Sequence, residues 1–374
     1  MGSNSKKVYQ LGQSIWYDNI QRRLLENGDM AAMIERGEIY GVTSNPSIFN
    51  NAIANSDDYD NELIPLAEEG KTAFEIFETL ALDDIRVAAD LFIDIYKSTN
   101  GRDGYISLEV NPNLARDTDA TCNEAQRLWD LVDRPNIMIK IPATIESLPA
   151  IERSTANGLN INVTLIFSQE RHVEVIDAYL SGLEKRVAEG KPIDHIASVA
   201  SFFVSRIDTK ADNYLEEIIS RGGSEMNLAK TLKGKVAVAN AKAAYQRFKK
   251  VFGRDRFAGL KEKGARLQRP LWASTSTKNP AYSDVLYVDS LIGSDTVNTI
   301  PPHTLVAFNE HGVVENTLEK DLDDAEQVLS NLESVGISLV QVTDELEQEG
   351  VTTFSNAFAS LLETIEARVM EVGG

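Results

Sequence analysis

Short apolar runs recur along the chain. Each is followed by a polar or Gly/Pro/Asn-bearing turn and then by a stretch of helical periodicity, the pattern of repeated strand–helix units. Eight runs qualify, at 11–18, 38–45, 105–110, 136–141, 160–167, 195–202, 270–274 and 285–288. Several are apolar at odd and even positions alike, as in Ile137-Met138-Ile139 and Leu165-Ile166-Phe167. Burial on both faces is what a parallel sheet covered by helices requires. Eight such units over about 300 residues is the count of a closed (β/α)8 barrel, whereas an open doubly wound sheet usually begins with a glycine-rich turn. The expected fold is an α/β TIM barrel.

Two stretches depart from the regular spacing. Between Asp208 and Gly264 no strand-like run occurs, but Ala237, Val238, Ala241, Ala244, Tyr245 and Phe248 repeat at helical intervals, so a helical insertion is expected over about 208–266. After residue 288 the chain turns acidic and helical. Its last segment, about 314–374, ends in a stripe of Phe354, Ala357, Phe358, Leu361, Leu362, Ile365 and Val369. Such a stripe must cover something, and the barrel mouth and a second copy of the chain are both open as its target. Thr121 with Glu124 reads as a capping box ahead of a helix face of Ala125, Leu128, Trp129 and Val132. No flexible linker or low-complexity tract interrupts the chain, so residues 1–374 read as one domain.

Charge narrows the partners. Lys and Arg number 37 against 57 Asp and Glu, a net charge of −20, so nucleic acid and anionic membrane surfaces are not expected to bind. The lone Cys122 forms no internal disulfide and reads as a small core residue, and His172, His195, His303 and His311 lack metal-ligand spacing. No apolar run approaches the roughly 20 residues of a membrane span, and no signal core follows the polar start, so a cytoplasmic protein is expected. Gly259 and Gly264 have P-loop spacing, but Ala265 follows where Lys-Ser/Thr is needed. The lysines between Lys230 and Lys250 lack aromatic interleaving and read as solvated helix faces.

Candidate chemistry gathers at strand ends. Lys140 closes the most apolar run, and an ammonium among aliphatic side chains is pushed toward the neutral amine that attacks carbonyls; a lysine that merely tops its strand and snorkels to water is the alternative. Glu109, Asp18 and Asn45 end three other runs, and in a barrel all strand C-termini open on one face, so an amine, two carboxylates and an amide would converge there. Individually, either carboxylate also fits a helix cap or an ion pair. Thr164 can hold a water from its strand end, although Thr164 and Ser168 alone fit an ordinary strand residue and an N-cap. Ser201, Phe203 and Arg206 close the sixth run. Ser274 to Lys278 close the seventh ahead of an expected helix start at Pro280. Hydroxyls, free amides and cations on late strands suit a phosphate monoester, with a hydroxyl-rich turn and a paired Arg206 as the plainer alternative.

At this point the chain resembles the transaldolases, in their long bacterial-type branch. The likeness rests on Gly41-Val42-Thr43-Ser44-Asn45-Pro46-Ser47-Ile48-Phe49, Ile139-Lys140-Ile141-Pro142-Ala143-Thr144, Asn162-Val163-Thr164-Leu165-Ile166-Phe167-Ser168 and Val342-Thr343-Asp344-Glu345-Leu346. The resemblance implies a cofactor-free, metal-free barrel that moves a dihydroxyacetone unit from sedoheptulose 7-phosphate to glyceraldehyde 3-phosphate in the pentose phosphate pathway, as monomer or homodimer. It implies Lys140 as the imine-forming lysine, Glu109 as acid/base through a water held by Thr164, and Asp18 as the group that takes the C4 hydroxyl proton. It further implies Thr43, Asn45, Ser201 and Phe203 around the dihydroxyacetone unit, and Arg206 and Ser274 at the phosphate, where Lys278 is the nearest further cation of this chain. Shorter members carry Arg where this chain has Ser276, and Lys is not its equivalent at a bidentate site. Fructose 6-phosphate aldolases resemble the fold but carry Gln and Tyr where this chain has Glu109 and Phe203. A non-catalytic sugar-phosphate-binding barrel is the remaining alternative, since fold alone does not fix function.

Overall fold

The computed structural model describes residues 3–372. Among them, eight parallel strands close a barrel in chain order: β1 (Gln13–Tyr17), β2 (Val42–Thr43), β3 (Ile106–Glu109), β4 (Ile137–Pro142), β5 (Ile161–Ile166), β6 (Ser198–Phe203), β7 (Gln268–Ala273) and β8 (Thr296–Ile300). β8 pairs back onto β1 from Gln13↔Thr296 to Tyr17↔Ile300. Helices cover the outside, so most strand residues are buried on both faces.

Seven of the eight expected runs overlap a barrel strand; the eighth does not. Residues 285–288 overlap the short helix Leu286–Ser290, and the closing strand is Thr-Val-Asn-Thr-Ile at 296–300. Its alternate residues Thr296 and Asn298 face a polar barrel interior, Thr296 accepting from Gln13 and Asn298 from Thr275, so the strand lacks the apolar signature. Tyr287 and Val288 are apolar because their helix turn packs into the core. One other expectation is corrected here. The helix Thr118–Val132 is capped by Asp117, whose side chain accepts from the Ala120 amide; Thr121 donates back to Leu114 O and Glu124 pairs with Arg127, so no capping box forms there. A capping box does occur at Thr72 and Glu75, ahead of the helix Ala73–Leu91.

Between β6 and β7 the chain forms the helices Ser205–Arg221, Met226–Leu232, Val236–Phe252 and Asp255–Lys261. Past β8 come Pro302–His311 and Leu322–Ser334, then a 34-residue helix, Leu339–Val372, roughly 51 Å long. This last helix answers the question left by its stripe: it crosses the mouth of the barrel. It packs on β5 and on the helices Pro46–Ala54, Ala73–Leu91 and Ser205–Arg221, which follow β2, precede β3 and follow β6. Phe358 meets Phe74 and Phe77 edge-on, with centroids 6.2 and 5.8 Å apart. At Gly350 the crossing is so close that a Cβ would lie 3.1 Å from Leu165. Of the described helices, none is long and apolar enough to cross a membrane.

Candidate active site

Register brings the charged strand ends together. Glu109 and Lys140 are direct partners across β3 and β4, and the Lys140 Nζ lies 3.5 Å from Glu109 Oε2 while donating to Ser44 O at 3.0 Å. Both side chains are about 95% buried, at 6% and 5% exposure, so the lysine does not snorkel to water. An apolar cavity walled by Phe49, Phe74, Phe77 and Phe358 abuts Asn45 and Glu109. Burial pushes the Glu109 carboxyl up to about 7 against the opposing pull of Lys140, with Asp18 adding a smaller upward push. Neither Glu109 Oε2 nor the Thr164 hydroxyl has a hydrogen-bond partner among the described residues.

Asp18 follows β1 and its Oδ1 accepts from Thr43 Oγ1 at 2.6 Å; Thr43 in turn shares a hydrogen bond with Thr299 at 2.5 Å. Burial raises its pKa, while the Thr43 hydrogen bond and the cations Lys140 and Lys278 hold it down. Asn45 caps the helix Pro46–Ala54, its Oδ1 accepting from the Ile48 amide at 3.0 Å, so its side-chain NH2 is the end left for a ligand. Asn162, the register partner of Lys140 on β5, links three strands: its Nδ2 donates to Ser107 Oγ at 3.0 Å and its Oδ1 accepts from Ser201 at 2.6 Å.

On the β6–β7 side, the Phe203 ring packs 5.3 Å from Phe167 and beneath the Arg206 guanidinium, also at 5.3 Å. Arg206 forms no ion pair among the described residues, and burial lowers its pKa with only Glu349 opposing. Ser274 shares a hydrogen bond with Ser205 at 2.9 Å, and Lys278 donates to Ser276 at 2.8 Å. No helix starts at Pro280: Asn279 folds the chain into a turn by accepting from the Ala281 amide, and the helix waits until Leu286. The helix N-terminus nearest these groups belongs instead to Ser205–Arg221, whose N-cap Val204 has no side-chain acceptor to offer its amides.

Sequence reasoning missed the backbone strain around the site and the side chains that the crossing helix brings to it. Two non-glycine residues at strand ends, Leu165 and Ser274, have φ of 60° and 55°, in the left-handed region that L residues avoid. Leu165 lies in the register break of β5 between Val163 and Ile166, so the strain re-aims the chain beside Thr164. Phe354 of the crossing helix places its ring 6.0 Å from the Lys140 Nζ. Lys210 binds Glu345 and Glu349 of that helix at 2.7 and 2.5 Å, and Arg171 binds Glu347 at 3.4 Å. No local signal marks Phe354 as a neighbour of Lys140, 214 positions away; Asn162 was visible as a polar residue in an apolar run.

A closed barrel whose mouth buries an amine against a carboxylate, with further polar groups converging from separate strands, has the arrangement of a TIM-barrel enzyme. The profile of the transaldolase/fructose-6-phosphate aldolase family matches residues 15–365. The chain is 47% identical to a transaldolase of Trichodesmium erythraeum over 98% of this chain and 97% of that one. It is 46% identical to transaldolase 2 of a Nostoc species, over 97% of both chains, and to a transaldolase of Saccharopolyspora erythraea, over 98% of both. The chain belongs to the transaldolase/fructose-6-phosphate aldolase family.

Proposed function

We propose that the protein is a transaldolase that carries a dihydroxyacetone unit from sedoheptulose 7-phosphate to glyceraldehyde 3-phosphate on Lys140. The buried Lys140–Glu109 pair is the observation that carries this reading. The amine adds to the ketose carbonyl, and water leaves as the imine forms, Glu109 supplying the proton through a water held by Thr164. Asp18 takes the C4 hydroxyl proton as the C3–C4 bond breaks, and erythrose 4-phosphate departs. The electron pair left on C3 then attacks the acceptor aldehyde, Asp18 returns the proton, and hydrolysis frees fructose 6-phosphate. Asn45 and Ser201 hold the hydroxyls of the three-carbon unit, with Thr43 holding Asp18. Arg206, Ser274 and Lys278 take the phosphate, helped by the uncapped first turn of Ser205–Arg221. In this reading the enzyme works in the cytoplasm, in the pentose phosphate pathway, as a monomer or homodimer.

Transfer rather than release of free dihydroxyacetone is supported by the apolar Phe203, 7% exposed against Phe167, because a dry site slows imine hydrolysis. Incubation with fructose 6-phosphate and borohydride, followed by peptide mass spectrometry, is expected to label Lys140, and an unlabelled Lys140 overturns the proposal. Fast release of dihydroxyacetone without an acceptor aldehyde would favour the aldolase reading.

A further inference from the structure

At the other end of the barrel, where the strands begin, three arginines line one cavity of about 250 Å³: Arg102, Arg266 and Arg269. Arg269 is the second residue of β7, five residues before Ser274, so roughly 16 Å of strand separates this cavity from the mouth. In a chain of net charge −20, three guanidinium groups around one concavity run against the prevailing field.

Two carboxylates, Asp103 and Asp295, the latter also lining the cavity, leave one of the three charges unmatched. Arg269, 6% exposed, donates to Ser14 Oγ at 2.9 Å and Arg102 O at 2.6 Å, and pairs with the buried Asp103 at 2.9 Å. Arg102 donates to Gly12 O and meets Asp295 only at 3.4 Å, with both side chains 41% exposed. Arg266 forms no ion pair among the described residues: its Nη1 donates to Gly101 O and to the Tyr105 hydroxyl, at 2.5 and 3.3 Å. Gly101 is what lets it lie there. Its φ of +69° favours glycine, and a Cβ at position 101 would push the Arg266 guanidinium out of this place. Backbone carbonyls thus hold the guanidinium in place without neutralising it, and leave its remaining N–H groups for another acceptor.

We propose that this cavity is a second anion site that takes a phosphate group, as the free ion or as the monoester of a small metabolite. A guanidinium presents paired N–H donors that match two phosphate oxygens, and a charge unmatched by carboxylate is the one that gains most from a dianion.

Equilibrium dialysis with radiolabelled inorganic phosphate tests this in the full-length Arg206→Gln variant, which removes the phosphate cation proposed at the mouth. About one phosphate per chain is expected to remain bound there. Adding Arg266→Gln is expected to weaken that binding at least tenfold, and Arg102→Gln, at a half-exposed position, to weaken it severalfold. Competition by glycerol phosphate identifies an ester as the ligand; its failure identifies the free ion. Arg266→Gln by itself is expected to leave transfer activity in phosphate-free buffer within twofold of wild type. No binding in Arg206→Gln, undiminished binding in both double variants, or equal displacement by chloride at matched ionic strength would each overturn the site and leave the arginines as a structural plug.

Discussion

What sets Glu109 apart from an ordinary glutamate is its surroundings. An ordinary glutamate loses its proton near 4.5, whereas burial lifts this one to about 7. Between those values the folded chain keeps a proton that the unfolded chain has released, so the group favours folding at acid pH and that contribution is lost as pH rises through 7. In the Glu109→Gln variant, transfer is expected to fall by about 10²–10⁴-fold. The limb of the kcat profile near pH 7 should vanish as well, as steady-state rates from pH 5 to 9 would read. Survival of that limb would assign it to another group. The identities of Lys140, Glu109 and Asp18 were legible because each ends a run whose apolar pattern is plain, and a barrel sends every strand end to one face. Leu165 was not legible, because nothing in Thr-Leu-Ile announces a positive φ. Ser44 contributes only its carbonyl to Lys140, a role that any residue type can fill.

Pairing of β1 with β2 depends on a close approach at Gly41, where an added Cβ would lie 2.7 Å from the Trp16 ring. Trp16 is fully buried and its Nε1 donates to Asp103 at 3.1 Å, so it has nowhere to retreat. Gly41→Ala is expected to cost about 1–3 kcal/mol in urea unfolding, through overpacking. Transfer should fall too, because Asp18 lies two residues beyond the displaced ring; an unchanged midpoint would mean the strands shift freely. The crossing helix Leu339–Val372 makes a different demand. Phe354, 7% exposed and 6.0 Å from the Lys140 Nζ, is part of what keeps water from the imine in the proposed cycle. Phe354→Ala is expected to cost about 3–5 kcal/mol of stability. It should also raise acceptor-independent release of dihydroxyacetone about tenfold, a loss of slightly over 1 kcal/mol of kinetic protection. Coupled-enzyme detection of free dihydroxyacetone would measure this, and an unchanged release rate would relegate the ring to packing. At this scale the stripe announced a covering helix but not what it covers, since amphipathicity records that a face is buried and not against which partner. β8 failed for the converse reason: its inward residues are polar, so the periodicity that marks other strands is absent.

Across the whole molecule, acid stability is set by groups that pull in opposite directions. His172 is fully buried against the Phe202 ring, 5.9 Å away, and neither of its ring nitrogens has a partner among the described residues. Burial pushes it from 6.5 down to about 4. Between those values the unfolded chain binds a proton that the folded chain refuses, so stability is lost as pH falls, by about 3 kcal/mol once pH 4 is reached. Glu109 acts with the opposite sign over an overlapping window, gaining stability as pH falls from 7 toward 4.5. The wild-type profile near pH 5–6 is therefore flatter than either group would make it. His172→Leu removes the refusing group while keeping the site apolar. Relative to wild type, the variant is expected to become progressively more stable from pH 6.5 to 4, by up to about 3 kcal/mol. Adding Glu109→Gln should then cancel the rise that His172→Leu exposes between pH 7 and 4.5. Urea midpoints at four pH values for the two single variants and the double variant separate these contributions. Parallel acid losses in wild type and His172→Leu would show that the imidazole finds its proton without unfolding the chain, and that its burial is relieved by local opening around the helix Gln169–Ala188.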